Sequence, residues 1–139
     1  MLKTILAALD GSEIQERVIQ SLEELQLQPT TKIVLAHVVL AIDREVASDR
    51  PQAVEGLSYL QIEKQLQSYQ AKLPGESIIE IVTGDPAEEI IRLANIYQAD
   101  LIAIGSRGLT GVKRIIQGSV SSQVVENAPC SVLVVKPAK

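Results

Sequence analysis

Short aliphatic runs alternate with amphipathic stretches along the whole chain. Thr4 to Leu9 is apolar, stops at Asp10-Gly11-Ser12 and reads as a first strand. Ser12 and Gln15 have the spacing of a capping box, which predicts a helix start at Ser12. Ile14, Val18, Ile19, Leu22 and Leu25 then recur at helical spacing until Pro29-Thr30-Thr31. Lys32 to Leu40 is a second strand. Ile42 to Gln52 is polar, carries both signs of charge and reads as a loop. Ala53 to Leu73 is a long helix with Val54, Leu57, Leu60, Leu66, Tyr69 and Leu73 near one face, stopped by Pro74-Gly75. Ser77 to Val82 is a third strand. Asp85, Pro86 and Glu88 mark a helix start by cap, first-turn proline and third-position acid. Its expected buried stripe is Ala87, Ile90, Ile91, Ala94 and Tyr97. Leu101 to Ile104 is a fourth strand and Ser131 to Val135 a fifth. Between them a glycine-rich connection runs from Gly105 to Gly118, and Ser119 is read as the cap of a short helix carrying Val120, Val124 and Val125.

The order β-α-β-α-β-α-β-α-β predicts one α/β domain. Its five-stranded sheet is mostly parallel, with right-handed crossovers and helices on both faces. Two strand orders suit this pattern, 2-1-3-4-5 and 3-2-1-4-5. They differ in where the sheet reverses direction, and ligands sit at that reversal. In the second order strands one and four meet there, and the loops after them are Asp10-Gly11-Ser12 and Gly105 onward. These loops look the most functional in the chain, so 3-2-1-4-5 is favoured.

Composition sharpens this picture. A chain of 139 residues, 46% hydrophobic and with almost no aromatics, can fill an aliphatic core under a parallel sheet. The net charge of -4 argues against a nucleic-acid partner, which needs a basic face. No segment approaches the length of a membrane span, so a membrane is not expected either. Cys130 stands alone, which excludes an internal disulfide and fits a cytoplasmic, reducing location.

The candidate chemistry lies in GSRGLTGVKRIIQGSVSS, from Gly105. Glycines let a ligand approach bare backbone, and successive amides in such turns can cradle an anion. The expected helix start at Gly118-Ser119 offers free amides and a dipole to a phosphate. Lys113 and Arg114 add positive charge. The spacing is neither a P-loop nor a dinucleotide fingerprint.

Gly105-x2-Gly108-x9-Gly118-Ser119 resembles the nucleotide motif G-x2-G-x9-G-[ST] of the universal stress protein family, in its ATP-binding branch. The opening ILAALDGSE, the strand KIVLAHVV, the segment VTGDPAEEIIRLANIYQADLIAIGSRG and the close NAPCSVLVV resemble that family over the whole chain. The resemblance implies a Rossmann-like, adenine nucleotide alpha hydrolase-like sheet of order 3-2-1-4-5. It also implies ATP in the reversal cleft, with Mg²⁺ or Mn²⁺ as an accompanying ion, and a homodimer through strand 131–135. Carried over by position, Asp10 meets the ribose or a metal, which is otherwise held through the phosphates. Ala8 and the Val38 backbone line the adenine. Ile104, Gly105, Arg107 and Gly108 wrap ribose and phosphates, and Gly118, Ser119 and Val120 hold the phosphate end. Ser131 and Ala8 depart from residues common in the family, and Ala8 bears on the adenine contact.

Plainer readings stand beside these. Gly105 and Gly108 can be turn glycines, Ser12 a helix cap alone, and Lys113 and Arg114 a solvated face. His37 and Cys130 read as structural. The function implied is a nucleotide-dependent regulatory module in stress response with unidentified protein partners. The alternatives are a slow ATP hydrolase or phosphotransferase, for which no base stands out besides Asp10, and a stress scaffold that takes no nucleotide.

Overall fold

The computed structural model describes residues 2–11, 13–40, 52–106 and 112–137. Five strands, β1 (Thr4–Leu9), β2 (Lys32–Leu40), β3 (Ser77–Gly84), β4 (Leu101–Gly105) and β5 (Ser131–Val135), form one sheet. Every pairing is parallel and the order is β3-β2-β1-β4-β5, as the loop argument expected. The helices are α1 (Ile14–Glu24), α2 (Gln52–Lys72), α3 (Pro86–Tyr97) and α4 (Val112–Asn127). The polar stretch read as a loop over 42–52 falls outside the described residues, apart from Gln52, which begins α2.

Alternation along the central strands divides the core in two. Ile5, Ala7, Leu9, Ile33 and Leu35 face α1 and α2, where Val18, Ile19, Leu22, Leu66, Tyr69 and Leu73 are buried. Leu6, Ala8, Val34, Ala36, Ile102 and Ile104 face α3 and α4, where Ala87, Ile90, Leu93, Ala94, Val120 and Val124 are buried. Burial on both faces explains why these strands read as unbroken aliphatic runs. Each fully buried Ile or Leu contributes about 1.5–3 kcal/mol.

Several element details differ from the sequence reading. The cap of α1 is Glu13, in a helical backbone conformation and with no side-chain cap bond among the described residues. Ser12 itself lies outside that set. Leu25 is the C-cap of α1 and is 44% exposed, so it leaves the stripe where the helix ends. In α2 the second half carries the packing through Leu66, Tyr69 and Leu73, while Leu60 faces solvent. The side chains of Val54 and Leu57 are outside the described set. In α3, Leu93 takes the fully buried place expected of Ile91 and Tyr97, which are half-buried. The largest difference is α4, which starts at Val112 and not at Ser119. Lys, Arg, Ile and Gln are all adequate helix formers, and one internal glycine costs only about 1 kcal/mol, so the helix runs through Gly118.

The amino end of the sheet is tied by polar groups. The Asp100 carboxylate accepts from the Lys3 and Thr4 amides at 2.9 and 3.0 Å, and the Asp100 amide donates to the Thr4 carbonyl at 2.8 Å. These contacts hold its carboxyl below the usual carboxylate range. Thr31 Oγ1 donates to the Leu2 carbonyl at 2.9 Å beside them. Cys130 is half-buried, and burial, aided by Asp100, pushes its thiol up, as suits an inert cysteine. Among the described residues no helix is long and apolar enough to cross a membrane.

Candidate functional site

The carboxyl edge of β1 lies between β2 and β4, where the strand order reverses. Ala8 is in register with Ala36 on one side and Ile104 on the other. Ala8, Ile104 and Val120 share one apolar cluster, against which Val38 also packs. Four of the predicted apolar site residues therefore come together, on the α3 and α4 side of the sheet. Ala8 and Ala36 sit side by side and are both buried in that cluster.

Asp10 follows at the end of β1, half-buried, and Gly11 turns the chain with φ of +84°. That left-handed conformation is what requires glycine. An added Cβ would lie 3.5 Å from His37 Cε1, an ordinary contact, so space is not the constraint. His37 is 8% exposed, is hydrogen-bonded to the Leu9 backbone and feels the Asp10 carboxylate. Burial lowers its pKa against both of those pulls, so the ring is neutral near pH 7. His37 is thus a packed residue, placed at the carboxyl edge of the sheet near Asp10.

Gly105 is the last residue of β4. A Cβ there would meet Ile14 Cγ1 at 2.7 Å and Cγ2 at 2.9 Å. The glycine thus lets the first turn of α1 sit down on the end of β4. The next amide, of Ser106, donates to the Val135 carbonyl at 2.8 Å and serves the sheet. That amide is therefore engaged, and the turn that follows it lies outside the described residues. Arg107 and Gly108 lie outside the described residues.

Gly118 and Ser119 fall inside α4, where amides are bonded to carbonyls of the preceding turn. The predicted helix start at these residues is corrected accordingly: the free amides of α4 belong to its first turn, from Val112. The backbone of Lys113 and Arg114 is in that turn, with side chains outside the described set. Val120, expected at the phosphate end, is buried in the cluster with Ala8 and Ile104.

Sequence reasoning missed Gln15. Its side chain is 2% exposed, and its Oε1 accepts from the Gly11 amide at 2.9 Å. The signal was available, because a glutamine spaced with Val18, Ile19 and Leu22 occupies a core position on the helix. Among the described residues no group of three His, Cys, Asp or Glu side chains gathers as a metal site. An open groove lined by Ala87, Glu88, Ile91, Arg92, Gln123 and Asn127 separates α3 from α4 and contains none of the predicted site residues.

Comparison with known proteins sets this geometry in context. Residues 1–136 match the Universal stress protein family. The chain is 50% identical over 60 residues to universal stress protein MJ0531 of Methanocaldococcus jannaschii, a stretch covering 43% of this chain and 35% of that protein. It is 31% identical over 157 residues to universal stress protein MJ0577 of the same organism, covering 98% of this chain and 96% of that one. The solved structure of hypothetical protein MJ0577 superposes with a TM-score of 0.86 at 27% identity, over 100% of this chain and 99% of that one. A universal stress protein family protein from Arabidopsis thaliana, solved with AMP bound, shares the fold with a TM-score of 0.62 at 20% identity, over 98% of this chain and 92% of that one. The strand order and the match across almost the whole sequence agree: the chain belongs to the universal stress protein family.

Proposed function

We propose that the chain binds an adenine nucleotide, ATP, at the carboxyl edge between β1 and β4 and acts as a nucleotide-dependent regulatory module in stress response. The observation that carries this reading is the juxtaposition of Ala8, Val38 and Ile104 as an apolar surface with Asp10 and Gly11 directly after it. A purine needs a flat apolar contact, and a ribose needs an acceptor for its hydroxyls. The residues present fit both needs. The AMP-bound Arabidopsis relative supports an adenine nucleotide as the ligand class.

In this reading Ala8 and the Val38 backbone meet the adenine, and Asp10 meets the ribose or a Mg²⁺ or Mn²⁺ ion that otherwise rides on the phosphates. Ile104 and Gly105, with Arg107 and Gly108, border the ribose and phosphates. Arg114, in the first turn of α4, supplies charge toward the phosphates, with Gly118, Ser119 and Val120 farther along the same helix. The nucleotide alters how the protein docks on its partners.

β5 is an edge strand made of apolar residues and serine, with Val134 36% exposed. Such an edge invites pairing, and a homodimer through 131–135 covers it. Sedimentation should report a dimer for the native chain and a monomer for Val134→Glu. A monomeric native chain at micromolar concentration refutes this part.

Freshly purified protein, denatured and analysed for nucleotide, should release an adenine nucleotide, and added ATP should raise Tm by mass action. Gly118→Val should abolish that rise. Valine is a better helix former than glycine, so lost binding would not reflect a lost helix. Neither released nucleotide nor a Tm rise would reject the reading, and unchanged ATP affinity in Gly118→Val would displace the phosphate end from α4.

A further inference from the structure

The Asp10–Gly11 turn does not stand alone at the sheet edge. Gln15 uses both ends of its buried carboxamide. Oε1 accepts from the Gly11 amide at 2.9 Å, and Nε2 donates to the Tyr69 hydroxyl at 3.0 Å. Tyr69 is 1% exposed, in the packed second half of α2, and its hydroxyl donates to the Glu16 carboxylate. A tyrosine hydroxyl has one proton. Giving it to Glu16 leaves the oxygen to accept from Gln15, and this fixes which end of the carboxamide faces Gly11. Two hydrogen bonds thus run from the exit of β1 through Gln15 to Tyr69, 54 residues beyond Gln15, and a third returns from Tyr69 to α1 at Glu16. The Tyr69 ring packs in the core with Leu66 and Leu73, and its hydroxyl, which also meets the Gln65 side chain, carries the polar route.

We propose that Gln15 and Tyr69 are positioning residues, through which the docking of α2 sets the Asp10–Gly11 turn and regulates ligand binding on it. The ligand half of this proposal rests on the nucleotide reading given above. The two states are Tyr69 engaged with Gln15 and Glu16, with the Gly11 amide held, and Tyr69 withdrawn, with that amide released. A nucleotide seated against the turn favours the first state. By linkage it tightens α2, and a docked α2 tightens the nucleotide by the same factor. Tyr59 and Leu60 of α2, each 49% exposed, are the groups through which that change reaches a partner.

Tyr69→Phe keeps the ring in the core and removes only the hydroxyl. In the protein without nucleotide, hydrogen exchange at the Gly11 amide, read by NMR, should quicken by about tenfold while exchange within β2 stays unchanged. ATP affinity should fall about fivefold, and Gln15→Met in the same background should add little further, because the two residues act as one path. General destabilisation would instead quicken exchange across the core. Should Tyr69→Phe fail to fold, Gln15→Met alone, close in shape to glutamine, should release Gly11 in the same way. Unchanged Gly11 exchange in the folded variant overturns the proposal. A released Gly11 with unchanged ATP affinity overturns its regulatory half. A native chain that binds no ATP defeats the nucleotide reading separately, and the positioning role is then decided by Gly11 exchange alone.

Discussion

Helices α1 and α3 both begin at the carboxyl edge of the sheet, each after an Asp that ends a strand segment, yet they begin differently. At α3 the start is closed by its own residues. The Asp85 side chain accepts from the Glu88 amide at 3.0 Å, and Pro86 has no amide to satisfy. At α1 the cap is Glu13, with no side-chain cap bond among the described residues, and Gln15 turns back to hold the Gly11 amide. The first arrangement stabilises a helix. The second shapes a turn beside Asp10 and His37, at the end of β1. The difference teaches that a helix start obeying local capping rules is doing structural duty, whereas one that departs from them marks where side chains serve the edge itself.

Substitutions can break or sharpen that contrast. The largest effect is expected from Gly105→Ala. Its methyl would lie 2.7 Å from Ile14 Cγ1, so the first turn of α1 must lift, at a cost of about 1–3 kcal/mol. Urea unfolding should show the loss, and ATP affinity should fall with it. Asp85→Ala should cost about 1 kcal/mol in the same unfolding assay and leave ATP affinity unchanged. A loss of affinity there would erase the distinction between the two starts.

The smallest effect lies at the opposite edge. Asp100 is exposed, and the Thr4 and Lys3 amides depress its pKa. A carboxyl depressed by folding adds stability above the ordinary carboxylate pKa, and that stability disappears as pH falls through the lowered value. The urea midpoint of Asp100→Asn should therefore trail the native one near neutral pH and converge with it in acid. A gap that persists in acid would mean the ionised carboxylate contributes nothing.

The fold was legible because the central strands are buried on both faces and α1 and α3 carry single apolar stripes. Strand order followed from the placement of Asp10-Gly11 and Gly105 after the two strands that flank the reversal. The start of α3 was legible because its capping is local. The start of α4 was not: two glycine-containing steps suggested a loop to Gly118, whereas helix-forming residues from Val112 carry the chain through it. Gly105 was read as a ligand-facing or turn glycine, and the packing of Ile14 against it adds a constraint that the spacing does not encode. Gln15 was taken as half of a capping box with Ser12. Its actual partners, Gly11 and Tyr69, include a residue brought near by the crossover to α2, which no local spacing encodes.

The most direct measurement is an ATP titration of the isotope-labelled native chain, following the backbone amides of residues 10–11, 104–105, 85 and 87–88 together. Saturable shifts are expected at 10–11 and 104–105, with Asp85, Ala87 and Glu88 unmoved. Shifts confined to the α3 start, or none at the edge between β1 and β4, would contradict that expectation.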